Sequence, residues 1–136
     1  MSATETHPGG CLCGAVRYEV SGPLAPVWAC HCSQCRRTSG HYVATTNAKN
    51  HVFRILADEG LSWYASSAEA ERGFCRHCGS SLFWRRRGDD YTSIMAGTFD
   101  GPTGVVVEGH IFTADKGDYD SLPDDEPQYP AWPKRG

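Results

Sequence analysis

Cysteine is the residue type that dominates the chemistry available to this chain, whose seven cysteines fall into three groups among 136 residues. The groups are Cys11-Leu12-Cys13, Cys30-His31-Cys32-Ser33-Gln34-Cys35 and Cys75-Arg76-His77-Cys78. An odd count excludes complete disulfide pairing, and the start MSATETHPGG lacks the apolar segment of a secretion signal. The cysteines are therefore expected to bind metal or to take part in catalysis.

The first and third groups together fit a closed metal site. In an extended C-x-C segment, side chains two positions apart share one face, so Cys11 and Cys13 are predicted to converge while Leu12 turns into the core. A C-x-x-C pair followed by glycine is typical of a zinc knuckle, because the glycine permits the left-handed backbone that closes the turn. Four thiolates in tetrahedral geometry select zinc over magnesium or calcium. We therefore predict a structural zinc site, the alternative being four free buried cysteines; its ligands are Cys11, Cys13, Cys75 and Cys78.

The middle group has one sulfur too few for a closed site. Cys30 and Cys32 are predicted to share a face, with Cys35 returning from the following turn and His31 pointing away. Three thiolates on a tetrahedral ion leave one position open, which is typical of a catalytic zinc. We therefore predict that this group holds a catalytic zinc, which makes two zinc ions per chain.

Other residues leave alternatives open at this site. A fourth ligand such as His110 or His51 could close it, or the thiols could form a redox or metal-buffering cluster. His110 could also be a general acid or base, or a structural histidine. Arg36 and Arg37 directly follow the group and are candidates for pairing with a carboxylate or an oxyanion, the alternative being a solvated pair that balances an anionic metal site.

The ligand set also restricts the chemistry. Three thiolates give Zn²⁺ a formal charge of −1, so strong activation of water is not expected. An electron-rich zinc suits an incoming thiol, whose pKa of about 8.5 leaves it only slightly ionised at neutral pH when free. The predicted substrate class is therefore a small-molecule thiol.

The elements that must position these residues are predicted to be short β-strands. In LCGAVRYEV, Val16, Tyr18 and Val20 alternate with polar residues, as in a half-buried strand. Six further runs have the same character: HYVATT, HVFRIL, LSWYAS, SSLFW, YTSIMAGTF and VVVEGHIFT. Only SQCRRTSG, closed by Gly40, and SSAEAER are helix candidates. The predicted fold is mainly β.

The predicted organisation is one domain with two flanking segments. Residues 1–8 are an N-terminal extension, 9–117 the zinc-binding domain, and 118–136 a segment rich in proline and aspartate that packs on the domain at least to Tyr129. For the last six or so residues the alternative is a frayed terminus. Net charge −3 and a pI near 6.0 argue against nucleic acid as a partner, and no apolar run is long enough to cross a membrane. The expected location is the cytoplasm.

Four stretches together resemble the glutathione-dependent formaldehyde-activating enzyme family, whose domain is shared with centromere protein V. They are GGCLCGAVRYEV, CHCSQCRRTSG, FCRHCGSSLFW and GHIFTADKGDYDSLPDDEPQYP, in family order from about Gly9 to Tyr129. The resemblance implies a β-tent of short, packed antiparallel sheets, zinc-ribbon-like, and two zinc ions. It assigns the structural and catalytic ions to the same two cysteine sets that the spacing predicts.

The expected activity follows from this resemblance. In the founding enzymes the thiol is glutathione, the aldehyde is formaldehyde and the product is S-hydroxymethylglutathione. The chain is therefore expected to be a carbon–sulfur lyase, similar to S-hydroxymethylglutathione synthase, acting on a small thiol–aldehyde adduct. The alternative is a non-enzymatic zinc module that binds a partner protein. Neither the identity of the thiol nor the oligomeric state follows from the sequence.

Overall fold

The computed structural model describes residues 5–133 and consists mainly of β-strands, which confirms the predicted fold class. The strands are β1 (Thr6–Gly10), β2 (Val16–Ser21), β3 (Val27–Cys30), β4 (Val43–Lys49), β5 (Phe53–Asp58), β6 (Leu61–Ala65), β7 (Ala70–Cys75), β8 (Ser81–Arg86), β9 (Tyr91–Met95) and β10 (Val107–Ile111). Short 3-10 turns occupy Asn50–Val52, Ala96–Thr98 and Thr113–Asp115, and the single α-helix described in this range is α1 (Ser33–Ser39). None of the described helices is long and apolar enough to cross a membrane.

The chain divides into two compact units. The first contains the described residues up to Ala25 together with Thr46–Gly104, and the second contains Pro26–Thr45 together with the described residues from Val105 onward. Strand β4 passes from the second unit into the first between Thr45 and Thr46.

The first unit holds the larger core. Strands β1, β2 and β5 form an antiparallel sheet in that order. Strands β4, β9, β8, β7 and β6 are hydrogen-bonded neighbours, in that order, in a second sheet. The predicted alternation in β2 is confirmed, since Val16, Tyr18 and Val20 are buried and the residues between them are half-buried. The Tyr18 ring packs edge-on against Phe83, and its hydroxyl lies 2.6 Å from Thr98 Oγ1.

The second unit is built from β10, β3 and β4 in that order. Strands β3 and β4 pair antiparallel, but β10 and β3 pair parallel, so the expectation of only antiparallel sheets is wrong for this pair. The long chain between β3 and β10 removes the constraint of a tight turn, which is what forces neighbouring strands to run antiparallel. The segment after β10 stays hydrogen-bonded to it, because Tyr129 N donates to His110 O at 2.9 Å.

One helix prediction is confirmed and the other is wrong. Helix α1 ends at Gly40, which adopts the left-handed conformation (φ 82°) and donates its amide to Arg36 O at 2.9 Å. The stretch SSAEAER is instead a turn that leads into β7. Ala70 and Arg72 are buried in β7, between β6 and β8, so sheet packing overrides their helix propensity.

The predicted segment boundaries at residues 8 and 117 stay predictions. Strand β1 begins at Thr6, within the predicted N-terminal extension. Of the residues expected to fray, 134–136 lie outside the described part of the chain, as do residues 1–4 of the extension.

Candidate metal centres

Four sulfur atoms of the first unit converge on one point. They belong to Cys11, Cys13, Cys75 and Cys78, and all four lie within 4.8 Å of one another. Cys13 Sγ lies 3.7 Å from both Cys11 Sγ and Cys75 Sγ. A tetrahedral zinc with Zn–S bonds of about 2.3 Å separates its sulfurs by about 3.8 Å, so the donor set and its spacing fit that ion.

Two of these four sulfurs, those of Cys11 and Cys78, lie beside hydrogen-bond donors that suit thiolate ligands. Val16 N donates to Cys11 Sγ at 3.2 Å, at the start of β2. The Ser80 hydroxyl, 3.2 Å from Cys78 Sγ, is the main cause that lowers the pKa of this thiol to about 5. Hydrogen-bond donors beside sulfur stabilise the deprotonated form that binds metal.

The local backbone at the first pair differs from the prediction. Cys11 and Cys13 do not lie in an extended strand, because β1 ends at Gly10 and a turn follows in which Gly14 N donates to Cys11 O at 3.3 Å. Leu12 is 88% exposed, so the expectation that it enters the core is wrong. A turn brings alternate sulfurs together by reversing the chain, and this reversal directs the residue between them outward to solvent.

The second group is the three-cysteine group, which lies in the second unit. The sulfurs of Cys30, Cys32 and Cys35 all lie within 4.8 Å of one another. Cys30 is the last residue of β3, Cys32 is the N-cap of α1, and Cys35 is buried in the first turn of that helix. As an N-cap, Cys32 Sγ accepts a hydrogen bond from Cys35 N at 3.3 Å. The strand-to-helix junction therefore gathers the three sulfurs.

The three thiols differ in acidity because they share hydrogen bonds. Donation by the thiols of Cys30 and then Cys35 lowers the pKa of Cys32 far below its ordinary value. The same contact with Cys32 raises the pKa of Cys30. Cys32 is therefore the thiol of the group that loses its proton most readily, and a metal that binds the group displaces the remaining protons.

The histidines considered as a fourth ligand lie elsewhere. Among residues 5–133, no histidine or carboxylate atom joins the three sulfurs in a ligand group. His110 is bound by other side chains: its Nδ1 lies 2.9 Å from His31 Nε2 and its Nε2 lies 2.6 Å from Glu126 Oε1. His51 lies in the other unit and is exposed. In the described part of the chain, the three-cysteine group thus offers three ligands.

The two arginines that follow the group lie on α1. Arg36 is half-buried and Arg37 is exposed, both in the last turn of the helix. Cations stabilise the C-terminal end of a helix, so part of their presence has a structural cause. Their positive charges also lie within two residues of Cys35 along the chain.

Two residues with clear roles near these groups escape sequence reasoning. Glu126 contacts a histidine 16 positions away, and nothing in the acidic tail distinguishes it from its neighbours. Gly60 is buried against Cys75, and only its place between two predicted strands could have drawn attention to it.

Comparison with known proteins identifies the family to which the chain is similar. The sequence profile of the family described as "Glutathione-dependent formaldehyde-activating enzyme" matches residues 6–115. An uncharacterized lyase of Schizosaccharomyces pombe is 30% identical over 114 residues, which cover 82% of this chain and 82% of that protein. A Halomonas elongata protein named "Putative glutathione-dependent formaldehyde-activating enzyme" is 34% identical over 83 residues, 55% of this chain and 53% of that protein.

A solved structure is also similar. The crystal structure of a Rhodobacter sphaeroides protein superposes with a TM-score of 0.60 at 28% identity, covering 74% of this chain and 98% of that one. The resemblance noted in the sequence is thus confirmed over most of the chain. The chain belongs to the glutathione-dependent formaldehyde-activating enzyme family.

Proposed function

We propose that this chain is a zinc-dependent carbon–sulfur lyase that joins a small thiol to formaldehyde and cleaves the resulting adduct. The observation that carries the proposal is the convergence of three sulfurs, from Cys30, Cys32 and Cys35, without a fourth ligand in the described residues. A scaffold needs only the four-cysteine group, so a second, incomplete set of thiolates favours chemistry at that set. Membership of the family supports the choice of thiol and aldehyde.

The chain contributes a prearranged ligand set. The three thiolates would hold a zinc ion, which, when bound, supplies an open position at which the pKa of an incoming thiol falls. Cys32, whose pKa is lowered by donation from the thiols of Cys30 and Cys35, would be the first of the three to lose its proton. The four-cysteine group would hold the second, structural zinc. The proposed site of action is the cytoplasm, where small thiols stay reduced.

The proposed reaction conserves its atoms in both directions. In the forward direction the thiol loses its proton, its sulfur forms a bond to the carbonyl carbon of formaldehyde, and the carbonyl oxygen takes up a proton. In reverse the hydroxyl loses a proton, the carbon–oxygen double bond re-forms as the carbon–sulfur bond breaks, and the sulfur leaves with the electron pair and takes up a proton. Holding both reactants side by side turns an encounter in solution into a positioned step.

Arg36 and Arg37 have a proposed role in recognition. Three thiolates and one Zn²⁺ carry a net charge of −1, and two nearby guanidinium groups reverse that sign. Such a surface attracts a thiol that carries carboxylates, as glutathione does, and can stabilise the oxygen that becomes negative during addition.

The test is a rate measurement with ¹³C-labelled formaldehyde. Zinc-loaded protein is mixed with formaldehyde and one thiol, which is glutathione, cysteine or 2-mercaptoethanol. NMR then follows exchange between the free aldehyde and the S-hydroxymethyl adduct. We expect the wild-type chain to accelerate exchange for at least one thiol and Cys32→Ser to abolish the acceleration, while Ser33→Ala, an exposed neighbour, retains it. If fully zinc-loaded wild-type protein accelerates exchange for none of these thiols, the enzyme proposal fails and the partner-binding zinc module is favoured.

A further inference from the structure

Two buried histidines of the second unit form a hydrogen-bonded pair. His31 and His110 are 1% and 4% exposed, and His31 Nε2 lies 2.9 Å from His110 Nδ1. His110 Nε2 in turn lies 2.6 Å from Glu126 Oε1. The result is a chain of three side chains, Glu126–His110–His31, which we call the histidine chain. Buried polar groups without partners are destabilising, so such a chain stabilises one arrangement of its members.

The carboxylate of Glu126 fixes the direction of the hydrogen bond at one end of the histidine chain. A carboxylate can only accept, so His110 Nε2 carries the hydrogen that it donates to Glu126. One further proton lies between His31 Nε2 and His110 Nδ1 and makes the hydrogen bond between the two rings. Removing the carboxylate would leave the His110 Nε2–H without its partner and would release the ring that holds His31.

His31 links this chain to the three-cysteine group. It stands between Cys30 and Cys32 in sequence, and its amide donates to Ile111 O at 2.9 Å. Strand β10 thus holds residue 31 twice, by its backbone at Ile111 and by its side chain at His110. Because both flanking residues supply sulfurs, the orientation of residue 31 fixes the directions in which those sulfurs point.

We propose that His110 and Glu126 are positioning residues that hold His31 and thereby preorganise the three-cysteine group for metal binding. The inference rests on the proposed function in one respect, that this group is a metal site. It extends that function by assigning a task to Glu126, in the segment after β10; Asp120 of the same segment lies 3.7 Å from His31 Nδ1.

The structure separates this task from general folding. The segment around Glu126 is attached by its backbone, since His110 N donates to Pro127 O at 2.8 Å and Tyr129 N donates to His110 O at 2.9 Å. Neither bond involves the Glu126 side chain, which is only partly buried, with 30% of it exposed. A substitution at this side chain therefore removes the end of the histidine chain while the segment stays in place.

The experiment titrates metal-free protein with Co²⁺. Co²⁺ bound to thiolates absorbs light, so the absorption spectrum follows metal binding at both cysteine groups of the same molecule. The Cys32→Ser chain, which keeps the four-cysteine group, identifies the signal of that group. For Glu126→Ala we expect affinity at the three-cysteine group to fall about tenfold, at the low end of effects from groups that support metal ligands. Affinity at the four-cysteine group should not change. Glu126→Gln, whose amide oxygen can accept from His110 Nε2, should restore most of the loss, and Asp125→Ala, an exposed neighbour, should match the wild type.

A second readout is independent of metal at the three-cysteine group. In ¹⁵N NMR of protein that holds zinc only at the four-cysteine group, after mild chelation, the ring nitrogens of His31 and His110 should each show one fixed tautomer in the wild type and in Glu126→Gln. In Glu126→Ala they should show averaged shifts. Unchanged shifts in Glu126→Ala would overturn the inference whatever the metal does.

The outcomes keep the two proposals apart. Unchanged Co²⁺ affinity at the three-cysteine group in Glu126→Ala, or an equal loss at both groups, would overturn the inference and leave the proposed function standing. A selective loss at that group, in a wild-type protein that accelerates no thiol–formaldehyde exchange, would overturn the proposed function and leave the inference standing. A wild-type chain that takes up Co²⁺ only at the four-cysteine group would overturn both.

Discussion

Gly60 lies in the tight connection between β5 and β6, buried against the four-cysteine group. Its amide donates to Ala15 O at 3.4 Å and its carbonyl accepts from Arg76 N at 2.7 Å, so both sides of its backbone are held. A methyl group added at Gly60 would lie 2.7 Å from Cys75 Sγ and 2.9 Å from Ala15 Cβ. Neither atom can swing aside, because one belongs to a short buried side chain and the other is fixed to the backbone. Gly60→Ala therefore forces the backbone at residue 60 away from Cys75 and Ala15.

The expected cost follows from this overlap. Overpacking of a filled interior costs about 1–3 kcal/mol. For a chain of this length that corresponds to a fall in Tm of about 3–10 °C. Because the nearest atom is a ligand sulfur, metal affinity at the four-cysteine group should fall with stability, while the three-cysteine group in the other unit keeps its affinity.

Gly97 provides the matched control. It is exposed, and a methyl group added there would meet no heavy atom within 4 Å. Gly97→Ala should therefore change the free energy of unfolding by less than about 1 kcal/mol, in the stabilising direction, by restricting the unfolded chain. Thermal unfolding followed by circular dichroism, with Co²⁺ titration of each variant, measures both effects. A Gly60→Ala protein as stable as Gly97→Ala would refute the packing described at this site.

Three further outcomes are expected. Cys75→Ser should unfold or severely destabilise the first unit, because structural zinc sites contribute about 10 kcal/mol or more; wild-type Tm and full zinc content in this variant would contradict the structural assignment. Cys32→Ser should instead leave Tm nearly unchanged and lose one zinc by elemental analysis, since its site lies within one short segment; unfolding as severe as that of Cys75→Ser would reverse the two labels. Burial raises the pKa of Tyr18 from 10.0 to about 12, so the unfolded state ionises first and stability falls as pH rises through this window. The loss, about 3 kcal/mol by urea unfolding, should be absent in Tyr18→Phe, and equal pH dependence in both proteins would rule out this cause.

The residues that sequence reasoning located are those whose chemistry depends on near neighbours. Cysteine spacing of two or three positions nearly determines which neighbouring sulfurs can meet, so both groups could be predicted, although Cys13 and Cys75 of the four-cysteine group lie 62 positions apart. The alternation of apolar and polar residues predicted β2 for the same reason, because this alternation is a property of successive residues. Gly40 ended a helix as predicted, because its left-handed conformation has a local cause.

The features that sequence reasoning missed or predicted wrongly are ones that no short stretch of sequence contains. Strand β1, THPGG, has the composition of a turn and is a strand only because β2 pairs with it. Leu12 is exposed because the backbone between two ligand sulfurs turns, which spacing alone does not reveal. His31 and His110 meet across 79 positions, and their contact depends on the parallel pairing of β10 with β3. A single sequence carries no signal for that register.

The split composition of the second unit has a consequence for how the chain is made. Strand β3 and the three-cysteine group are synthesised early, whereas β10, with which β3 pairs, follows about 80 residues later. At translation rates of about 5–20 residues per second, roughly 4–16 s pass before β10 exists. Throughout that interval the three thiols are unsupported by the strand that holds His31, and so are open to oxidants and to adventitious metals. The finished fold therefore cannot protect these cysteines until β10 has been synthesised.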